Sequence, residues 1–294
     1  MPQFPEVVAI FGPTASGKSA AAEIVADRLG TEVVSADALQ VYRGLPILTN
    51  QPARPTRLVA VRELSEEMTV GEYTRLAHEA IDELVDAHGT AVVAGGTGLY
   101  LRATLVDLEL PPPPAAEARR RWEAEYDADP VAAHGLLAEL DSVAATAVHP
   151  NDRRRVVRAL ELAEMGASLA PDEDRLWSEQ MRRPALVAGL DVSLERLEER
   201  IRQRAEAMLA AGVIDEVRDA LAAGISRTAE KALGLRELAE LPPRDAVDRL
   251  VLRTRRYAAY QRKWMRRIPG IVMIEADRPA DEVADAILQV ARAR

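Results

Sequence analysis

The sequence predicts an α/β protein, a parallel sheet flanked by helices, with an all-helical insertion. Three observations predict it. Five short runs rich in Val, Ile and Ala read as buried strands: "EVVAIF" (6–11), "TEVVS" (31–35), "TAVVAGG" (90–96), "ALVAGLDV" (185–192) and "IVMIEA" (271–276), with helical patterns between them. The first run leads through a glycine-rich turn into an alanine-rich helix signal, the spacing of a strand–loop–helix–strand unit. Residues 111–184 hold no strand candidate.

The elements follow in order. A helix starts near Lys18 and stops at Gly30, a glycine where a left-handed terminal residue is favoured. Four prolines at 111–114 punctuate the chain after "LRATLVDLEL", and "GASLAPDEDRLWSEQMRRP" (166–184) is a second breaker-rich stretch. The expected division is therefore a core of 1–110 and 185–294 with a helical insertion at 111–184. Inside the insertion, a helix over 152–165 follows "HPND", with Asn151 or Asp152 as its cap and Gly166 beyond its end. Val156, Leu160 and Ala163 form its apolar stripe, and Arg154, Arg158 and Glu161 share the opposite face.

Composition narrows the chemistry. A chain of 294 residues, 48% hydrophobic, can bury a substantial core. No apolar run approaches the roughly 18 residues of a membrane span, and "MPQFPEVVAIFGP" lacks a basic n-region and a cleavage site, so a cytoplasmic protein is expected. Zero cysteines exclude disulfides, thiolate zinc and a cysteine nucleophile, and the four histidines show no metal-ligand spacing. The net charge of −9 coexists with three basic windows, "ARRRW" (118–122), "DRRRVVR" (152–158) and "RTRRYAAYQRKWMRR" (253–267). Arginine runs often form only a solvated face, and Tyr257, Tyr260 and Trp264 in the last window allow either base stacking or core packing, with core packing expected for at least one.

The glycine turn is "GPTASGKS", residues 12–19. The pattern G-x-x-x-x-G-K-[ST] between a strand and a helix is that of a phosphate-binding P-loop, which makes the core P-loop NTPase-like and ATP-binding by pattern. Gly12, Pro13, Thr14, Ala15, Ser16, Gly17, Lys18 and Ser19 form it. The amides of Thr14 to Ser19 are expected to face phosphate, Lys18 to neutralise it, and the Ser19 hydroxyl to hold Mg²⁺. Lys18 is one of only three lysines, with Lys231 and Lys263, against 35 arginines. An NTPase needs a second acid beyond a strand to orient metal and water. "AVVAGGTG" ends in glycines, so the acid singled out is Asp37 of "VVSADALQVY", a turn cap, a metal orienter or a general base.

The motifs "GPTASGKS", "SADALQVYRG", "GGTGLYLRA", "HPNDRRRVVRALEL", "EKALGLREL" and "TRRYAAYQRKWMR", in this order, resemble those of the bacterial tRNA dimethylallyltransferases, also called tRNA isopentenyltransferases. The resemblance runs from residue 6 to about 267. It implies that the loop grips dimethylallyl diphosphate, with Mg²⁺, and that the acceptor is N6 of adenosine 37 in tRNA. It implies Asp37 as general base, with Asp37, Ala38, Leu39 and Gln40 on the flipped adenine. Thr97 and Arg236 match active-site positions, Thr97 also touching the adenosine, and Arg119, Arg154, Arg155, Val156, Val157 and Arg158 match positions that contact tRNA. A monomer is expected. The chain departs from the family pattern in "LTNQPARPTRLVAVREL" after "GLPI", in Ala38 where serine is usual, and in "YAAYQ" where "YAKRQ" is usual.

The chemistry suits these residue types. The exocyclic amine of adenine is a weak nucleophile, so a carboxylate within reach helps by taking its proton. Charge on the departing diphosphate is met by Lys18, Mg²⁺ on Ser19, the loop amides and, as a helper, Arg236. The competing readings are an isopentenyltransferase acting on free adenine nucleotide, a P-loop small-molecule kinase or NTPase, and a non-catalytic tRNA-binding protein.

Overall fold

The computed structural model describes residues 4–108, 110, 115–170 and 175–293. The proline run at 111–114 lies outside them. Five strands, β1 (Val7–Phe11), β2 (Val33–Ser35), β3 (Ala91–Gly95), β4 (Ala185–Asp191) and β5 (Val272–Glu275), match the five expected runs. They form one parallel sheet in the order β2-β3-β1-β4-β5. Thirteen α-helices lie among the described residues: α1 (Lys18–Leu29), α2 (Pro46–Thr49), α3 (Val70–His88), α4 (Gly98–Leu105), α5 (Ala116–Ala128), α6 (Pro130–Leu140), α7 (Ser142–Ala147), α8 (Arg153–Glu164), α9 (Leu194–Ala210), α10 (Val213–Ala223), α11 (Leu235–Glu240), α12 (Pro243–Met265) and α13 (Ala280–Arg292). None is long and apolar enough to cross a membrane.

The chain divides into two compact units, Met1–Leu108 with Leu176–Arg294, and Glu109–Arg175. Residues 176–184, read above as the end of the insertion, therefore belong to the larger unit. Long-range ties hold them there. The fully buried Arg102 on α4 donates to the carbonyls of Leu176 (2.6 Å) and Ser178 (2.7 Å), and the amide of Arg182 donates to Leu105 (2.9 Å). The composition of the stretch signals only breakers, because none of these partners is local in sequence.

In the larger unit β1 is central and every residue of it is buried, as a parallel strand covered on both faces must be. Val7, Ala9 and Phe11 join one cluster with Tyr73 and Ile81 of α3, Leu101 of α4 and Val251 of α12. Val8 and Ile10 join the other with Val25 of α1 and Ile287 and Leu288 of α13. The period of two along β1 thus separates two helical layers. The turns after β1, β2 and β3 all leave the carboxyl edge of the sheet, where ligands of open α/β sheets bind.

In the smaller unit, Tyr126, Leu137, Val156, Val157 and Leu160 share a core. The α8 helix has Asp152 as its cap, accepting from the amide of Arg155 at 3.2 Å, and Gly166 follows at φ 73°. Glu161 does not share a solvated face with Arg154. It is 1% exposed, because Arg119 (2.6 and 3.0 Å) and Arg158 (3.1 Å) converge on its carboxylate.

Candidate active site

The loop between β1 and α1 is built for an anion. Gly17, at φ 87°, is the left-handed cap before Lys18, and Ala15 also sits at φ 68°, where a β-carbon costs about 1–2 kcal/mol. Such strain persists only where surrounding structure imposes it. Here Ser16 donates its amide to Pro13 (3.1 Å), and Arg200 reaches the Ala15 carbonyl (3.4 Å). The expectation that all amides from Thr14 to Ser19 face phosphate is corrected at two positions. The Ser16 amide closes the turn, and the Thr14 amide donates to Oε1 of Gln261 on α12 (2.8 Å). Among the described residues, the amides of Ala15, Gly17, Lys18 and Ser19 donate to no protein group. The Ser16 hydroxyl is buried with no hydrogen-bond partner. Unpaired donors at a helix N-terminus are the substance of an anion site.

Lys18 Nζ reaches the Pro13 carbonyl (3.4 Å). Burial pushes its ammonium down from 10.5 to about 8, the charge of Asp37 opposes that shift, and the charge of Arg204 adds to it. Arg204 of α9 is itself held below the usual guanidinium range by burial, with Asp37 opposing. Lys18, Asp37 and Arg204, each half-buried, thus form one coupled charged group from three separate parts of the chain.

Asp37 stands two residues past β2. Its Oδ1 accepts from the amides of Leu39 (2.9 Å) and Gln40 (3.4 Å), so one oxygen fixes the following turn and Oδ2 takes neither bond. Thr97, before α4, accepts the Ala38 amide on its hydroxyl (3.3 Å), and it lowers the pKa of the nearby Tyr257 phenol, which burial pushes up to about 12. The Gln40 side chain is spent on Ser35, Thr49 and Asn50. Leu39 and Ala38 pack against the core cluster. A β-carbon at Gly98 would overlap the Trp264 ring, so α12 seats directly on the turn that carries Thr97.

Asp37, Arg204 and Tyr257 line one cavity, whereas Lys18 and Thr97 are not among its lining residues. Its wall has polar Thr14, Asp37, Arg204, Thr254 and Tyr257 beside aliphatic Leu39, Leu48, Ile201, Met208 and Leu250. Arg204 and the aliphatic Leu48, Ile201, Met208 and Leu250 were not singled out as site residues from sequence, and Tyr257 was weighed only for stacking or core packing. The only signal for Arg204 was its place on an amphipathic helix, four residues from the Arg200 that reaches the loop.

Other expected residues fall elsewhere. Arg236 is exposed and paired with Glu230, and it does not line the cavity. Val156 and Val157 are buried in the core of the smaller unit, so their side chains present nothing to a ligand. Arg119 and Arg158 hold Glu161, whereas Arg154 and Arg155 are exposed and in no ion pair among the described residues. A second strand-end acid does exist. Asp191 closes β4 beside β1, but it faces Arg262 (3.4 Å) and is not in the cavity wall.

A strained glycine loop at the head of a central parallel strand, with a half-buried lysine at its end and an amphipathic cavity alongside, defines an α/β protein of the P-loop class. A family model described as IPP transferase matches residues 40–268. The chain belongs to that family. It is 38% identical to the tRNA dimethylallyltransferase of Streptomyces coelicolor, covering 92% of this chain and 90% of the relative. To that of Kineococcus radiotolerans it is 37% identical, covering 97% and 96%. The crystal structure of the full-length tRNA isopentenylpyrophosphate transferase of Bacillus halodurans superposes with a TM-score of 0.68 at 30% identity, covering 98% and 95%. A eukaryotic dimethylallyltransferase acting on tRNA gives 0.75 at 26% identity, covering 92% of this chain and 73% of that one.

Proposed function

We propose that the chain transfers the dimethylallyl group of dimethylallyl diphosphate to N6 of adenosine 37 in tRNA. The observation that carries this is the cavity wall. A five-carbon allylic tail needs aliphatic lining and a diphosphate needs cations, and Leu48, Ile201, Met208 and Leu250 stand in one wall with Arg204 and Asp37, beside Lys18. Kinship with tRNA dimethylallyltransferases over nearly the whole chain supports the same reading.

In the reaction the N6 lone pair forms a bond to C1 of the allyl group as the C1–O bond breaks, and the electron pair leaves with diphosphate. Lys18, Arg204 and the loop amides stabilise that departing charge in a desolvated site. The amine proton passes to Asp37, whose Oδ1 is held by the turn. The hydroxyl of Thr97, between the Ala38 amide and Tyr257, positions the acceptor.

The donor set fits Mg²⁺. Among the described residues no three acids or histidines cluster, and a hard cation that keeps most of its waters needs only the Ser19 hydroxyl and diphosphate oxygens. Bound there, Mg²⁺ would supply further positive charge to the leaving diphosphate. Arg154 and Arg155 carry the part of the tRNA reading that rests on the smaller unit. We read the enzyme as a cytoplasmic monomer, since its acceptor is a soluble RNA, and sedimentation tests the monomer.

The test is to incubate labelled dimethylallyl diphosphate and Mg²⁺ with tRNA, AMP and ATP separately. Label in tRNA alone is expected. Label in AMP would instead favour the free-nucleotide enzyme, and phosphate release from ATP without tRNA would favour the NTPase.

A further inference from the structure

The mechanism leaves one face of α12 unused. Arg256, Tyr260, Lys263 and Arg267 follow at steps of four, three and four residues, so they share a side of the helix and its C-terminal turn, and all are exposed. Tyr260 is 54% exposed. Its ring lies 6.4 Å from that of Tyr257, inclined at only 25°, and Tyr257 is part of the cavity wall. On its other side Tyr260 meets Trp264 edge-on (6.4 Å, 70°). Trp264 lies 4.9 Å from Trp177, over which the Arg267 guanidinium sits at 3.9 Å. An aromatic series thus runs outward from the cavity.

The cations beside Tyr260 are uncommitted. Arg253, Arg255 and Arg262 each hold an acid, on Glu237, Glu198 and Asp191. Among the described residues Arg256, Lys263 and Arg266 enter no ion pair. One exposed ring among unpaired cations does not suit an apolar protein partner, which would need a wider hydrophobic patch. It does suit a single-stranded nucleotide, whose base has a face for stacking and whose phosphates need cations.

A base flipped into the cavity leaves its neighbours without a stacking partner, and a protein aromatic that takes the vacant place offsets part of that loss. We propose that Tyr260 is the stacking platform for the base next to the acceptor adenosine, with Arg256 and Lys263 on the flanking phosphates. This rests on the reading of tRNA as acceptor.

The test is a double-mutant cycle between Tyr260→Ala and anticodon stem-loop RNAs made abasic on the 5′ or the 3′ side of the acceptor adenosine. Affinity is read by fluorescence anisotropy and transfer by single turnover. Tyr260→Ala is expected to weaken the intact RNA about tenfold, and Tyr260→Phe to stay within about twofold. An abasic nucleotide on one flank should weaken the wild type about as much, and the combination should add nothing further. Arg256→Ala with Lys263→Ala should flatten the salt dependence by about 0.7 log units per contact. Losses that simply add on both flanks, or Tyr260→Ala binding like wild type, would overturn the platform while wild-type transfer to RNA leaves the acceptor reading standing. Wild type that labels AMP and not RNA overturns both.

Discussion

The Thr14 amide and the Gly96 carbonyl are both bonded by the side chain of Gln261, at 2.8 Å each. Gln261 is 2% exposed, so one buried amide on α12 fastens the P-loop to the turn that carries Thr97. Gln261→Ala leaves two groups unpaired in a place where water enters poorly. The expected loss is about 2–4 kcal/mol in urea denaturation, with weaker diphosphate binding. A loss under about 1 kcal/mol would show that water replaces the amide.

Diphosphate affinity should depend on pH through Lys18. Burial lowers its pKa to about 8, and a bound diphosphate raises it again, so affinity is full below about 8 and lost as pH rises through it. Kd should rise toward tenfold per pH unit there, and Lys18→Arg should stay flat. Stability moves the other way, because the unfolded lysine, at 10.5, binds the proton more tightly and unfolding takes one up between the two values. Calorimetry of diphosphate binding from pH 7 to 9.5 separates the two effects, and a flat wild-type profile counts against the assignment.

Asp37→Asn keeps an acceptor for the amides of Leu39 and Gln40 and so preserves the turn. Removing the base should lower single-turnover transfer by about 10² to 10⁴, with melting temperature and diphosphate affinity little changed. Normal turnover would exclude the base role. Loss of Mg²⁺-dependent diphosphate binding would move Asp37 to the metal.

Two arginines separate position in sequence from position in space. Arg204→Ala removes a half-buried cation from the cavity wall and should weaken diphosphate binding by about 10- to 100-fold. Arg236→Ala removes an exposed partner of Glu230 and should leave turnover within about twofold. The reverse order, measured by steady-state kinetics, would place Arg236 in the site.

The smaller unit contains two classes of arginine. Arg154→Ala with Arg155→Ala should weaken tRNA binding and lower its salt slope by about 0.7 to 0.9 log units per contact, at unchanged melting temperature. Arg119→Ala with Arg158→Ala leaves Glu161 buried without its two cations, so it should destabilise the unit by about 3–5 kcal/mol. Thermal melts and filter binding on the same proteins distinguish them.

The sequence by itself determined what depends on neighbours a few residues apart. The five strands, the stop at Gly30, a cap at Asn151 or Asp152 and the phosphate loop are local patterns, because backbone conformation and facial periodicity are set within one or two turns. The motifs in register supplied the family, and the sequence offered Asp37 as the acid beside the loop. Only the tertiary structure decided what the cavity is. Its wall draws on residues from Thr14 to Tyr257, brought together by the sheet order and the docking of α9 and α12, and no local period encodes that convergence. The same reason hid the burial of Glu161, whose charge reads as solvated until Arg119 arrives from 42 residues away. It also hid the exposure of Arg236, because a motif fixes a position in the chain and packing decides which way that position faces.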